Sequence, residues 1–326
     1  MKFVEAAGAR MSAIGVGCWQ FGSKDWGYGR EYAHRTAIEI VQRALDLGVN
    51  LIDTAEVYAR GVSEMTVGRA LEGRRDEAFV ATKVLPTWPS AKTVEEHGRL
   101  SALRLQVDTI DLYQIHWPNP LVPLGSQMQG MRRLQASGLV RHVGVSNFPA
   151  RWWAAAERRL ASPVLSNQVQ FSLLHRRPHR ENLPYAQQHD RIVIAYSPLA
   201  KGLLGGRYDA DHLPPGPART MDPLCLRENV ERATPVIQTV RHIARAHDAT
   251  PSQVALAWLI HHPNVVAIPG ASSVEQLERN AEAADLELTD DEFDELTSAS
   301  DRFQPLRPVA AARHLARARR QPTSTA

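Results

Sequence analysis

Cysteine is almost missing from this chain: Cys18 and Cys225 are the only two in 326 residues. Neither falls in a CxxC or near histidines at metal-ligand spacing, so a disulfide framework and a structural zinc site are excluded. Both thiols are expected to be reduced, and no metal is expected. Long apolar runs are missing too. None approaches the eighteen or so residues that cross a bilayer, and Glu5 and Arg10 interrupt the stretch a secretory signal would need. A soluble cytoplasmic protein without a membrane partner is predicted. A strong excess of one charge is also lacking. The formal net charge is +3, and Arg313, Arg317, Arg319 and Arg320, in a tail without acids, more than account for it. A basic footprint confined to a terminal tail is more often solubilising or disordered than a binding face, so nucleic acid is not an expected partner.

The composition that remains is globular, 44% hydrophobic and 22% charged, which excludes disordered, collagen-like and coiled-coil chains. The length suits two domains or one α/β barrel. Periodicity favours the barrel. Short β-rich runs at 13–17, 49–53, 78–83, 110–116, 140–146, 164–169, 191–196 and 265–269 alternate with amphipathic stretches such as 35–47, 64–71, 127–135 and 250–260. Several of the short runs are almost continuously apolar, as strands buried on both faces should be. Eight βα units predict an α/β fold of the (β/α)8 TIM-barrel type, one domain over 1–305 followed by a basic tail over 306–326 that is expected to be disordered. No linker divides the chain. Two departures stand out. Residues 197–229, with KGLLGGRY, LPPGP and MDPL, form a loop of the length expected of a functional lid or a disordered excursion, and 230–247 reads as an extra helix after the seventh strand.

In such barrels the active site lies at the C-terminal strand ends. The second strand ends at Asp53, with Tyr58 in the loop after it (LIDTAEVY); the third ends at Lys83 (VATK), the fourth at His116 (LYQIHWP). Each alone has an ordinary explanation: a helix N-cap, a half-buried loop aromatic, a snorkelling rim lysine, a core histidine. Together they suit proton transfer. An ammonium 4 Å from a phenol contributes roughly 4 kcal/mol before desolvation, so Lys83 is expected to lower Tyr58 toward neutrality. Asp53 would hold Lys83 charged, and His116 would hydrogen-bond a carbonyl oxygen.

These residues sit in GVNLIDTAEVY, FVATKV, IDLYQIHWP, VRHVGVSNF, SNQVQFSLL, IVIAYSPLAKGLL and AIPGASSVEQLERN. Through them the chain resembles the aldo-keto reductase family over nearly its whole length. That resemblance implies Asp53, Tyr58, Lys83 and His116 as the catalytic tetrad, with Tyr58 the general acid in reduction of a small carbonyl compound. It also implies a nicotinamide cofactor lying across the barrel mouth without a Rossmann domain, consistent with the lack of any GxGxxG after a strand. Carried over residue by residue, Ser146, Asn147 and Gln168 would meet the carboxamide and Tyr196 the nicotinamide ring, with Trp19 and Asp53 beside them. Ser197, Leu199 and Gly202 would follow the pyrophosphate, and Ser272, Gln276 and Asn280 the adenosine end. The sequence departs from the family where many NADPH-specific members carry Lys or Arg, for it has Gly270, Ala271, Ser272 and Ser273. Serine hydroxyls and amides at a helix N-terminus, or Arg279, would serve there. NADPH is therefore the expected cofactor, with NADH the alternative.

Trp19, Trp88 and Trp117 follow the first, third and fourth strands and suggest an aromatic rim for apolar or aromatic carbonyl substrates. Arg60 is the one candidate for a substrate-anion clamp. Two other readings stay open at this point: a cofactor-binding regulatory subunit of the channel-associated type with little turnover, and a non-redox barrel hydrolase or isomerase, for which the strand ends offer no metal ligands or paired carboxylates. The oligomeric state is not legible.

Overall fold

Strands form where β-branched and apolar residues run without a helical period, and here those runs are buried end to end. β5 (Phe79–Val84) and β6 (Ile110–Ile115) have every residue buried, the signature of parallel strands covered on both faces. The computed structural model describes residues 1–24, 28, 34–85 and 90–306. Trp88 and the tail beyond 306 therefore lie outside the described residues.

The chain opens with an antiparallel hairpin, β1 (Phe3–Ala6) and β2 (Ala9–Ser12), which the periodicity did not reveal. Then follow β3 (Val16–Gly17), α1 (His34–Asp46), β4 (Leu51–Asp53), α2 (Val62–Ala70), β5, α3 (Ala91–Leu105), β6, α4 (Leu124–Ala136), β7 (Val140–Ser146), α5 (Ala150–Leu160), β8 (Val164–Gln170), α6 (Arg177–His189) and β9 (Ile192–Tyr196). After β9 come the short α7 (Pro217–Thr220), the extra α8 (Arg227–Ala246), α9 (Pro251–His261), β10 (Val265–Ala267), α10 (Val274–Glu282) and α11 (Asp290–Arg302). α9 starts at the Thr-Pro-Ser signal as expected, with Thr250 and Gln253 forming a reciprocal capping box.

β3 to β10 form one parallel sheet in sequence order. It closes through a parallel bridge between Ile14 and Ala267, where Gly15 N donates to Ala267 O at 2.8 Å. The architecture is the expected (β/α)8 barrel with the extra helix after the seventh barrel strand. Two apolar clusters hold it: one fills the space between strands and helices, the other fills the barrel with Leu51, Leu112, Leu165, Ile194 and Val266. The hairpin plugs the lower end, with Met11 packed into that inner cluster. The upper end, where all eight strands finish, is left for function. The long loop expected at 197–229 is partly helical rather than irregular: a 3-10 turn over Ala200–Gly205 and α7 precede α8. No described helix is long and apolar enough to cross a membrane.

Candidate active site

Strand register brings Asp53, Lys83 and His116 to one spot, and the loop after β4 adds Tyr58. Lys83 is 0% exposed, so it is not the rim residue its type alone would suggest. Its Nζ donates to Asp53 Oδ1 at 2.7 Å, to Thr54 O at 2.7 Å and to Tyr58 Oη at 3.3 Å. With the Tyr58 oxygen already accepting from Lys83, its O–H is left to donate elsewhere. Asp53 caps no helix; its second oxygen accepts from Gln168 Nε2 at 2.7 Å. His116 lies edge-on to the Tyr58 ring at 5.7 Å, and its buried Nδ1 has no partner among the described residues.

The loop carrying Tyr58 is held in an unfavourable backbone. Ala59 and Arg60 follow at φ 49° and 57°, a left-handed conformation that costs a non-glycine residue about 1–2 kcal/mol. Glu56 anchors the loop: Oε1 accepts from Leu85 N at 2.7 Å and Oε2 pairs with His97 Nδ1 at 2.7 Å. The strained turn points Arg60 away. It is exposed and does not line the cleft described below, so it is no anion clamp.

Burial dominates the electrostatics. It works to lower the Lys83 ammonium, but Asp53 and Tyr58 against it more than compensate, and Lys83 is held above the ordinary lysine value. Burial pushes the Asp53 carboxyl up, with Lys83 and Gln168 pulling back. For Tyr58 the expectation from sequence is overturned. Burial raises the phenol more than Lys83 lowers it, and the net direction is upward from 10.0. The pairwise attraction was foreseeable; the desolvation that outweighs it was not. Burial, seconded by Lys83, lowers His116 to about 3, so at neutrality it is an uncharged imidazole.

Above this floor opens a cleft of about 820 Å³. Asp53, Tyr58 and His116 form its base, with Trp19 and Trp117 at its edges. Ser146, Asn147, Gln168 and Tyr196 line one side and are knitted together: Tyr196 Oη donates to Asn147 Oδ1 at 3.0 Å, and Asn147 Nδ2 donates to Ser146 Oγ at 3.0 Å. Ser197, Leu199 and Gly202 continue the wall, and Ser272 and Gln276 close the far end. Asn280 is not in the cleft; it is buried and its amide donates to Gly270 O at 3.4 Å. Arg279 is exposed outside it. Ser272 is already engaged, since its N and Oγ donate to Gln276 Oε1 at 2.9 and 3.1 Å.

Several lining residues were missed. Gln20, in the WQFG stretch after the first strand, donates to Ala271 O at 2.5 Å and lies flush against Gly270, where a Cβ would come within 2.3 Å of its Oε1. Lys201, Arg207, Arg219 and Asp222 of the long loop also face the cleft. The Lys201 ammonium sits 4.5 Å from the Trp19 ring centroid, so the loop reaches across the mouth to the opposite side. Arg219 Nε donates to Lys201 O at 3.1 Å and helps fold the loop back on itself. Basic residues in an otherwise Gly- and Pro-rich excursion were the available signal. Among the described residues no group of three or more His, Cys, Asp or Glu is arranged to hold a metal.

Comparison with known proteins points to one family. The sequence profile described as the Aldo/keto reductase family matches residues 13–301. An uncharacterized oxidoreductase of Mycobacterium tuberculosis is 51% identical over 307 residues, covering 94% of this chain and 95% of that protein. The methylglyoxal reductase YeaE of Escherichia coli is 31% identical over 304 residues, covering 91% and 94%. Among solved structures, an aldo-keto reductase from Klebsiella pneumoniae in complex with NADPH superposes with a TM-score of 0.75 at 30% identity, covering 94% of this chain and 96% of that one.

Proposed function

The chain belongs to the aldo/keto reductase family, and from that premise we propose that it reduces aldehydes or ketones to alcohols with NADPH, Tyr58 acting as the general acid. The observation that carries this is the Lys83 hydrogen-bond set, which joins Asp53 and Tyr58 through one buried ammonium at the base of the cleft.

The residues present fit a nicotinamide dinucleotide. Gln168 gives its amide nitrogen to Asp53, leaving its oxygen as an acceptor, and Ser146 and Asn147 add hydroxyl and amide groups beside the flat face of Tyr196. Gly270 lets the backbone run close to Gln20 at the far end, and Lys201, Arg207 and Arg219 bring cations over a cleft suited to phosphates. The NADPH held by the Klebsiella pneumoniae relative supports the same choice. When bound, such a cofactor supplies the hydride.

The protein's part is the proton. A carbonyl oxygen at the base of the cleft accepts the Tyr58 O–H, and neutral His116 offers a ring N–H to the same oxygen. As the oxygen gains charge, the Tyr58 proton moves to it. The tyrosinate left behind is stabilised by the Lys83 ammonium already hydrogen-bonded to it, while Asp53 keeps that ammonium in place. Because burial holds Tyr58 protonated at neutral pH, reduction starts from the correct form without adjustment. Trp19 and Trp117, 43% and 48% exposed, offer apolar edges that suit apolar or aromatic carbonyl compounds.

The test is Tyr58→Phe with a panel of aldehydes and ketones under saturating NADPH. Turnover should fall by about 10²-fold or more, with the cofactor dissociation constant unchanged. A variant retaining a tenth of the activity would remove Tyr58 from this role. Cofactor binding without multiple turnovers in the unaltered protein would point instead to a regulatory subunit.

A further inference from the structure

The turn that presents Tyr58 is held from outside. Ala59 and Arg60 sit in the left-handed region and Gly61 follows at φ 89°, so the two non-glycine residues persist there only because surrounding contacts over-determine them. The bonds inside the turn are ordinary to long, with Tyr58 N donating to Ala55 O at 3.1 Å and Arg60 N to Val57 O at 3.3 Å. Two carboxylates bracket the turn in sequence, Glu56 before Tyr58 and Glu64 in the first turn of α2. Their side chains are 10% and 0% exposed. Carboxylates so withdrawn from water are costly unless paired and hydrogen-bonded, and what pairs them lies on another element.

That element is α3. Arg104, in its last turn, donates from Nε to Glu64 Oε2 at 2.5 Å, and its Nη2 lies 3.9 Å from Glu56 Oε2. His97, seven residues earlier on the same face, pairs with that Glu56 oxygen at 2.7 Å. Ser101 Oγ accepts from Arg104 Nη2 at 3.2 Å and orients the guanidinium. The Arg104 stem makes a third contact. It lies flush on Gly61, where a Cβ would come within 2.6 Å of its Cδ. Glu64 in turn is tied to the floor of the cleft, its Oε1 accepting from Thr82 Oγ1 at 2.6 Å, one residue before Lys83 on β5. We propose that Arg104 is a positioning residue for carbonyl reduction: by binding Glu64, facing Glu56 and covering Gly61, it closes the Tyr58 turn from outside the barrel and fixes the Tyr58 hydroxyl over Lys83. The proposal rests on the reading of Tyr58 as general acid. Arg104 does not line the cleft and touches no reacting atom. Its action is geometric. A turn free to relax from its left-handed backbone carries Tyr58 Oη away from Lys83 Nζ, now 3.3 Å from it, and from a carbonyl oxygen at the base of the cleft. A misplacement of about 1 Å can cost about 10²-fold in rate. Ser146, Asn147, Gln168 and Tyr196 stand on other strands, so cofactor binding is spared.

Removing Arg104 alone would strand Glu64 as an unpaired buried charge, so the test combines Arg104→Ala with Glu64→Gln, whose amide oxygen still accepts from Thr82. With saturating NADPH and the aldehyde or ketone that the parent turns over fastest, kcat should fall about tenfold. The NADPH dissociation constant, read by protein fluorescence, should stay within about twofold. A readout without turnover is amide hydrogen exchange: residues 56–61 should exchange about tenfold faster, with β6 to β8 at the parent rate. Arg104→Lys, with Glu64 intact, keeps a stem over Gly61 and a cation for Glu64, and should bring both readings back to within about threefold of the parent. Unmoved exchange at 56–61 in the folded double variant, or unmoved kcat, overturns the proposal. So does faster exchange spread evenly over the barrel, which would make Arg104 a general stabiliser. Faster exchange confined to the turn and reversed by Arg104→Lys, in a chain that turns over no carbonyl compound, supports the hold on the turn and overturns the reductase reading. Arg104→Met with Glu64→Gln, which keeps the stem on Gly61 and loses only the ion pair, should show a smaller shift of the same kind. It is read in the same way where the alanine pair does not fold, and failure of both pairs to fold would overturn the proposal.

Discussion

The floor and the rim of the cleft are built by different means. On the floor, Asp53, Lys83 and His116 come from adjacent strands whose register fixes their spacing, and Lys83 and Asp53 are shut off from water. On the rim, Lys201, Arg207 and Ser272 come from loops and are partly or wholly exposed; Lys201 O accepts from Arg219 Nε, and Ser272 Oγ donates to Gln276 Oε1. Charges in a dry, rigid setting interact strongly and are costly to unpair, whereas charges at a wet rim are screened and replaceable. The floor should therefore be intolerant of change in both activity and stability. The rim should yield graded effects on cofactor choice and affinity.

The comparison is tested most severely by Lys83→Met. It strands Asp53 as an unpaired buried carboxylate, so reduction should fall roughly 10³-fold and unfolding free energy should drop by about 3 kcal/mol in urea melts. A variant as stable as the parent would mean that the floor is wetter than its burial indicates.

His116 sharpens the comparison through pH. With its value near 3 in the folded protein, kcat/KM for reduction should show no histidine inflection between about pH 5 and 8. Stability carries the opposite trace. The unfolded chain takes up this proton near 6.5 and the folded one near 3, so the His116 contribution is complete above 6.5 and is lost as pH falls, at about 1.4 kcal/mol per pH unit. His262, lowered by burial to about 4, acts in the same direction. Urea midpoints in His116→Gln should fall less steeply between pH 6 and 4 than in the parent.

At the rim the expected effects are smaller. Gly270→Ala puts a Cβ against the Gln20 amide, whose Oε1 would be 2.3 Å away. Gln20 can move, so the NADPH KM should rise about tenfold with kcat nearly unchanged; a loss in kcat alone would show that the two regions are coupled. The mildest change is Ser272→Arg. Ser272 hydrogen-bonds Gln276 rather than standing free, and an arginine in its place would give up that bond for a charge-assisted one to a 2′-phosphate. The ratio of kcat/KM for NADPH over NADH should rise a few-fold. No rise would place the 2′-phosphate contact elsewhere, with the loop cations the next candidates.

Legibility followed the same division. The strand runs at 110–116 and 140–146 were readable because Ile110, Leu112, Tyr113 and Ile115, like Val140, Val143 and Val145, supply apolar and β-branched residues without a helical period, and the observed Ile110–Ile115 and Val140–Ser146 lie within a residue of them. The hairpin over 3–12 was not, because VEAAGARMS alternates weakly and is held by what it plugs rather than by its own propensity. The loop after β9 read as structureless because its prolines and glycines break any period, yet contacts such as Arg219 to Lys201 O and Arg241 to Gly206 O shape it.

Sequence by itself determined which chemical types arrive at the strand ends, since a parallel strand delivers its last residues to one face wherever the helices pack. Only the tertiary structure decided how those types behave. The net direction of Tyr58 depends on how much water the surrounding barrel excludes, and the reach of Lys201 to Trp19 on where a loop settles. Desolvation and long-range contact are properties of neighbours distant in the chain, and no local pattern encodes them.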